Sequence, residues 1–332
     1  MKFGEIQVAQ AKNALVAHAI VLPDRRLKKG HVITEQDIAD LQAIDVDWLT
    51  VAQLEPGDVE ENDAATRIAA ALCGSQLDPA EAFTGRVNIY ARSTGIFEAD
   101  RELVDRLNRI TPAITLACLK DGEFVKAGRM VATVKIIPFA VEDGLVAEAV
   151  NVIAKGRALD LIASQSLRVG LVATCLPSLK TTTMDKTARI LSDRLTQTSS
   201  EVVAESRVEH TPEAVASALL ELKDQCDLLI IFGASAITDR ADVLPAGIEK
   251  AAGEVDYFGM PVDPGNLLLL GTLNGKVVIG APGCARSPAE NGFDWVLQRV
   301  ICGLAVDETY LSGLGVGGLL MEISARPQPR EG

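Results

Sequence analysis

The pattern of hydrophobic and polar positions predicts alternating strands and helices in the second half of the chain. Residues 168–174 and 227–232 are short apolar runs, as expected of strands that are buried on both faces. Between them, apolar residues recur at helical spacing, and a second helix begins at Thr211, a capping residue followed by proline at the first helical position. The apolar positions of the first helix are Met184, Ala188, Leu191 and Leu195. This order of elements predicts a mostly parallel sheet with helices on both faces.

The pattern continues to about residue 304. We predict a helix that opens near Pro245, strands at residues 267–270 and 276–280, and a hairpin turn at Asn274-Gly275 between these strands. A final helix is predicted to follow, with Ser287 as its cap and Pro288 at its first position. The predicted fold class is therefore α/β, a three-layer domain with a mostly parallel sheet.

The first half has a different pattern. Thr34, followed by an acidic turn, is typical of a helix start, residues 60–72 repeat small and apolar side chains at helical spacing, and residues 130–140 are rich in β-formers. A chain of 332 residues exceeds the usual size of a single core. We therefore predict a smaller α+β region at 1–166, the α/β domain at 167–305 and a C-terminal tail at 306–332.

Composition excludes several classes of partner. A formal net charge of −13 argues against nucleic acid and membrane surfaces, since these are bound by clustered lysine and arginine. The six cysteines are scattered without a C-x-x-C pair, so we expect reduced thiols. No apolar run approaches the about 20 residues of a membrane helix, and the opening lacks a signal-peptide core. We expect a cytoplasmic protein.

Three loops of the second half each follow a predicted strand: a threonine loop through Lys180, Thr181, Thr182 and Thr183, a loop from Gly233 and a loop at Pro282-Gly283. In an open parallel sheet such loops share the edge where ligands bind, and small residues let the backbone approach a phosphate. The sequence therefore predicts an anion site at this edge. The alternative is that these are three ordinary tight connections.

Three carboxylates fall in these loops. Asp185, Asp239 and Asp242 are candidate ligands of Mg²⁺, because carboxylates at phosphate sites usually hold the metal. The alternative is that Asp185 caps its helix and the other two are solvated loop acids. Residues 313–318, a glycine-rich segment, have no room for a βαβ unit behind them and are predicted to be a flexible turn. The histidines His18, His31 and His210 are predicted to be surface or packing residues without a functional role.

Several of these motifs together resemble the molybdopterin-binding domain of molybdenum-cofactor biosynthesis proteins, across residues 168–304. Asp185 resembles the acid of the family's first loop, and Gly233 to Ala236 followed by Asp239 or Asp242 resembles its Gly-Gly loop. Residues 263–266 and Pro282-Gly283 are similar to the Pro-Gly elements of the molybdotransferase branch. The opening of the chain also resembles the molybdopterin-binding half of bacterial fusions with a cytidylyltransferase-like domain.

The resemblance implies a ligand site, a cofactor and partners. It implies molybdopterin or adenylyl-molybdopterin as ligand, Mg²⁺ held by Asp242 and Asp239, and catalysis assisted by Asp242 and Asp185. It further implies ATP, molybdate and other cofactor-maturation enzymes as partners, and a homo-oligomer. The residues that would bind the cofactor are Thr182, Thr183, Gly233, Ala234, Ser235, Ala236, Pro264, Gly265, Asn266, Pro282, Gly283 and Ser287.

The sequence also departs from the family pattern. Ala234 replaces a glycine, Asn266 stands where a lysine is usual, and Cys284-Ala285 replaces Asn-Pro. Losing the lysine removes a point charge suited to a phosphate. Three functions therefore stay open: a transferase for nucleotidyl transfer or molybdate insertion, a non-catalytic carrier or regulatory module, and a nucleotide hydrolase of the competence-damage type.

Overall fold

The computed structural model describes residues 1–177 and 181–320, which form two compact units. One unit comprises Met1–Ser93 and Phe97–Ile162, and the other comprises Thr94–Ile96 and the chain from Ala163 onward. The prediction that Lys180 belongs to a loop lies outside the described residues, as does the predicted tail beyond residue 320.

Up to Ala163 the chain forms short strands, mostly in antiparallel sheets, with helices between them. A four-stranded sheet has the order β10-β12-β8-β7, and a three-stranded sheet has the order β1-β5-β2. The elements are β1 (Lys2–Gln7), β2 (Leu15–Val16), β3 (Ile20–Val21), β4 (Arg26–Leu27), α1 (Glu35–Gln42), β5 (Trp48–Gln53), β6 (Asp58–Glu60), α2 (Glu61–Leu72), β7 (Leu77–Pro79), β8 (Arg86–Ala91), β9 (Gly95–Ala99), α3 (Arg101–Ile110), β10 (Ile114–Cys118), β11 (Phe124–Val125), β12 (Met130–Ile136), β13 (Ala140–Glu142), α4 (Asp143–Ile153) and β14 (Leu159–Ala163).

Two helix predictions for this unit are confirmed. Thr34 caps α1 in a reciprocal box, in which its hydroxyl accepts the Asp37 N–H and the Asp37 carboxylate accepts the Thr34 N–H. Helix α2 begins at Glu61, one residue from the predicted start, and buries Ile68 and Leu72 in the main core of the unit. His31 contacts the Asp37 carboxylate at 2.8 Å, which gives this histidine a structural partner.

The second unit contains one six-stranded sheet with the order β16-β15-β17-β20-β19-β18. Strands β16, β15, β17 and β20 are parallel, and β19 and β18 continue the sheet in antiparallel pairing. Its elements are β15 (Arg168–Cys175), α5 (Thr181–Leu195), β16 (Glu201–Glu209), α6 (Pro212–Leu222), β17 (Leu228–Phe232), α7 (Val243–Lys250), β18 (Glu254–Phe258), β19 (Leu269–Leu273), β20 (Lys276–Ala281), α8 (Gly292–Ile301) and α9 (Glu308–Gly313).

Helices cover both faces of this sheet, so the fold is the predicted three-layer α/β domain. Strand β17 shows why its sequence is apolar throughout: Leu228, Ile230 and Phe232 belong to a core shared with α5 and α8. Leu229 and Ile231 point to the other face and pack in a core with α6 and α7. Because successive side chains of a strand point to opposite faces, a strand between two helical layers needs an apolar residue at every position.

Several local predictions in this unit are confirmed. Thr211 accepts the Ala214 N–H and caps α6, with Pro212 at the first helical position. Asn274 and Gly275 form the turn between β19 and β20, with φ angles of 51° and 73°. Both central residues of a type I′ turn need positive φ, which is why this dipeptide marks a hairpin.

Other local predictions are wrong. Helix α8 begins at Gly292 with Asn291 as its cap, whereas Ser287 lies five residues earlier and ends a short 3₁₀ helix. Asn291 replaces Ser287 as cap because it forms a reciprocal box with Asp294. Residues Thr181 to Thr183 form the first turn of α5 and are not loop residues.

All six cysteines are free thiols, as expected from their scattered positions. Burial raises the pKa of Cys73 and of Cys302 to about 11, so both are protonated near neutral pH and are poor nucleophiles. Within residues 1–177 and 181–320, no helix has the length and apolar content to cross a membrane.

Candidate functional site

Two of the three predicted loops, those at Gly233 and at Pro282-Gly283, lie at one edge of the six-stranded sheet. The parallel strands β15, β17 and β20 end there, with Ala173 paired with Phe232 and Phe232 paired with Ala281. Strand β19 starts and β18 ends at the same edge, because Leu269 pairs with both Gly280 and Phe258. The loops after β17 and β20 and the loop between β18 and β19 therefore lie side by side. We call this surface the strand-end edge.

The loop from Gly233 is held by a hydroxyl from the neighbouring strand. The backbone N–H of Ala234 donates to Oγ1 of Thr174 at 2.7 Å, and the same oxygen shares a hydrogen bond of 2.8 Å with Nδ1 of His210. A Cβ at Gly233 would lie 2.8 Å from the carbonyl oxygen of Ser235, so a side chain does not fit there. Ser235 and Ala236 follow as exposed residues.

The turn after β20 lies next to this loop. Pro282 is buried and Gly283 is exposed at the start of a 3₁₀ helix that ends at Arg286. The Arg286 guanidinium donates from Nη2 to the carbonyl oxygen of Gly233 at 2.9 Å, which joins the two loops directly. An ideal Cβ on Gly283 has no atom of the described residues within 4 Å outside its chain neighbours, so the described protein leaves space there.

A second arginine holds the same turn from the helical layer. Arg194 of α5 donates to the carbonyl oxygens of Ala285 and Ser287 at 2.9 and 2.7 Å, and its Nε contacts the Asp294 carboxylate at 2.6 Å. Ser287 contributes its backbone oxygen to this contact, while its hydroxyl accepts the Ala289 N–H. The described contacts of Ser287 are thus structural.

The loop between β18 and β19 packs against the start of α8. The carbonyl oxygen of Pro264 accepts the Gly292 N–H at 2.9 Å, and the peptide bond before Pro264 is cis. Gly265 has a φ of 143°, and a Cβ there would lie 2.8 Å from Gly292 N and Cα. Asn266 is exposed, and its carbonyl oxygen accepts the Met260 N–H.

The two threonines predicted to bind the cofactor lie on the first turn of α5. Thr182 is exposed and Thr183 is half-buried. The carbonyl oxygen of Thr183 accepts the hydroxyl proton of Thr187, and Thr187 in turn accepts a hydrogen bond from Arg286 at 2.6 Å. The first turn of α5 is thereby connected to the loop at Gly233 through Arg286.

Each of the three candidate acids contacts protein groups in its own surroundings. Asp185 forms an ion pair of 2.8 Å with Arg207 on the edge strand β16. Asp242 accepts the N–H groups of Val243 and Thr238 at 2.7 and 3.1 Å and caps α7. Asp239 accepts the Ala241 N–H at 2.7 Å. Each of the three carboxylates therefore has a structural partner.

The positions of these carboxylates bear on whether the protein could bind the expected Mg²⁺. Within the part of the chain that the structure describes, no group of three or more His, Cys, Asp or Glu residues is placed to hold a metal ion. The residues do not build a protein cage for Mg²⁺, although Mg²⁺ commonly takes only one or two carboxylates together with substrate phosphates. The roles of Asp242, Asp239 and Asp185 remain predictions.

The sequence reasoning missed three residues that hold the strand-end edge together. Thr174 is the polar residue that ends the apolar run of β15, and Arg286 is the cation that follows the Pro-Gly turn. These positions are visible in the sequence and could have marked both residues as candidates for the site. His210 was assigned no role, and nothing in its local sequence indicates that it reaches Thr174.

Comparisons with known proteins match two separate segments of the chain. Residues 167–301 match a family described as the probable molybdopterin binding domain, and residues 5–53 match a domain of unknown function (DUF8806). The comparison with curated proteins gave no match.

Solved structures of molybdopterin biosynthesis proteins align with long stretches of the chain. For the MoeA protein from Pyrococcus horikoshii the identity is 13%, with a TM-score of 0.32, over 91% of this chain and 75% of that one. For the MoaB enzyme from Thermus thermophilus the identity is 17%, with a TM-score of 0.28, over 41% of this chain and 97% of that one. TM-scores this low do not establish a shared fold, so the family model carries the assignment. Residues 167–301 are therefore similar to the family described as the probable molybdopterin binding domain.

Proposed function

We propose that the strand-end edge binds molybdopterin or adenylyl-molybdopterin and that the protein acts in molybdenum-cofactor biosynthesis. The observation that carries this proposal is the convergence of the Gly233, Pro264 and Gly283 loops at one edge of a domain of this family. Backbone amides at such an edge can bind an anion without clustered basic side chains, which suits a chain with a net charge of −13.

The proposal also includes a catalytic activity as its first candidate function. A transferase for nucleotidyl transfer or molybdate insertion would position phosphate groups and neutralise their charge, with Asp242 and Asp185 as the acids. The carrier or regulatory function is the second candidate. It is favoured because both acids already have partners in the protein: Asp185 is paired with Arg207, and Asp242 caps α7.

Anaerobic calorimetric titration with molybdopterin, followed by incubation with ATP and Mg²⁺, separates the candidates. ATP turnover that requires molybdopterin supports the transferase, and pterin binding without turnover supports the carrier. Nucleotide hydrolysis without any pterin binding contradicts the proposal and supports the hydrolase. Light scattering on the same samples tests the proposed homo-oligomer.

Gly283 provides a test of the ligand surface. We expect Gly283→Val to weaken molybdopterin binding about tenfold, because the added side chain projects into the open space where a ligand would approach the backbone. Thermal unfolding should be almost unchanged, since nothing lies within 4 Å of the new Cβ. Gly4→Val, a similarly open glycine in β1, is the control and should bind normally. Full binding by a folded Gly283→Val protein would remove Gly283 from the site.

Asp242 provides a test of the metal. We expect Asp242→Asn to bind molybdopterin normally without Mg²⁺ but to lose any strengthening of binding by Mg²⁺, because the amide keeps the cap and removes the charge. Paired titrations with and without Mg²⁺ measure this. The exposed Asp224→Asn is the control. The same Mg²⁺ dependence in wild type and Asp242→Asn would show that Asp242 is not a ligand.

A further inference from the structure

Arg286 places a guanidinium group at the centre of the strand-end edge. Its Nη1 donates to Oγ1 of Thr187 on α5 at 2.6 Å, and its Nη2 donates to the carbonyl oxygen of Gly233 at 2.9 Å. Its Cζ lies 5.3 Å from the ring centroid of Phe232, the last residue of β17. The side chain therefore contacts α5, the end of β17 and the loop that follows it.

The charge of this guanidinium is not balanced by the described protein. No Asp or Glu carboxylate among residues 1–177 and 181–320 lies within 4.0 Å of Arg286, and burial lowers the pKa of the half-buried side chain. Arg194 of the same domain shows the usual solution, because its buried guanidinium pairs with Asp294. A charge withdrawn from water is unfavourable unless an opposite charge meets it.

The described residues leave some of the hydrogen-bond donors of Arg286 unused. An arginine offers five N–H donors in a rigid plane, and the described residues accept two of these from Arg286, at Thr187 and Gly233. Both acceptors are neutral. Neither acceptor therefore places a negative charge opposite the guanidinium.

We infer that Arg286 binds the phosphate monoester of the ligand at the strand-end edge. This inference rests on the proposed function. It adds that the contact between Arg286 and the phosphate monoester accounts for the affinity for the ligand. The planar fork of arginine matches two phosphate oxygens, and the partly desolvated position strengthens each contact. The phosphate supplies the negative charge that the described protein does not place beside Arg286.

Titration of two pterins tests the inference: molybdopterin and the same pterin after phosphatase treatment. Wild type should bind molybdopterin at least tenfold more tightly than the dephosphorylated form. Arg286→Gln keeps an amide that can donate to the carbonyl oxygen of Gly233 but carries no charge, so the two pterins should bind it about equally. Thr187→Val removes a neutral partner of Arg286 without removing the charge and should keep the preference.

The outcomes separate this inference from the proposed function. Tight binding of both pterins by wild type, or an unchanged preference in Arg286→Gln, overturns the inference and leaves the proposed function intact. Failure of wild type to bind molybdopterin contradicts the proposed function. In that case titration with inorganic phosphate decides the inference, because equal affinity in wild type and Arg286→Gln would overturn it.

A measurement on the wild-type protein covers the case in which Arg286→Gln does not fold. With ¹⁵N-labelled arginine side chains, the Nε–H resonance of Arg286, identified by its loss in Arg286→Lys, should shift when inorganic phosphate is added. The corresponding resonance of Arg194, which is paired with Asp294, should stay in place. An Arg286 resonance that does not respond to phosphate overturns the inference.

Discussion

Replacing Arg194 with methionine is expected to lower the free energy of unfolding by about 3–5 kcal/mol. Methionine keeps an unbranched apolar stem but leaves the Asp294 carboxylate without its cation and the carbonyl oxygens of Ala285 and Ser287 without their donor. The ion pair is largely withdrawn from water, with side-chain exposures of 9% for Arg194 and 12% for Asp294. Urea unfolding of wild type and variant measures the difference.

The matched control is an exposed arginine of the same domain. Arg168 pairs with Asp227 at 3.0 Å, but their side chains are 55% and 39% exposed. Water screens such a pair, so Arg168→Met should change the free energy of unfolding by about 1 kcal/mol or less. If the two variants lose the same stability, burial does not determine the contribution of Arg194.

The second large effect is expected from Gly265→Ala, which should lower the free energy of unfolding by about 3 kcal/mol. The residue has a φ of 143°, a backbone conformation that alanine rarely adopts. Its new methyl group would also lie 2.8 Å from the backbone of Gly292, where α8 begins. Both effects act in the folded state and therefore add.

Gly283→Ala is the control, because the two glycines belong to similar Pro-Gly motifs but differ in their surroundings. Gly283 has open space at its Cβ position, so alanine there should leave thermal unfolding unchanged or slightly raise the midpoint. Calorimetry of both variants measures their thermal unfolding midpoints for comparison. Equal stability of Gly265→Ala and wild type would mean that the loop before β19 can move away from α8.

The sequence was sufficient for the architecture of the second unit, because each signal there is local. The unbroken apolar run of β17 indicated a strand covered on both faces, Asn274-Gly275 indicated a hairpin and Thr211-Pro212 indicated a helix start. The two edge strands, β16 and β18, were missed. The alternating pattern of β16, with Glu205 and Arg207 facing solvent, is common to an edge strand and a polar connection.

Sequence patterns could not predict the contacts within the candidate site. Thr174 and Ala234 are 60 positions apart, and Arg286 and Gly233 are 53 apart, so only the strand register brings them together. The cap of α8 was misplaced for a similar reason: Ser287 followed by proline is a valid start signal, but Arg194 holds the Ser287 backbone oxygen outside the helix. The three acids could be located in sequence but not their partners.

Arg194 and Arg286 both hold the turn after β20 in place, and this affects how tightly a ligand can bind there. Arg194 fixes the backbone at Ala285 and Ser287, and Arg286 connects the same segment to Gly233. A binding surface that is already rigid loses little conformational freedom when it is occupied, so more of the contact energy appears as affinity. The edge is preorganised, and the backbone positions of residues 233 and 285 should be nearly the same in the free and ligand-bound protein.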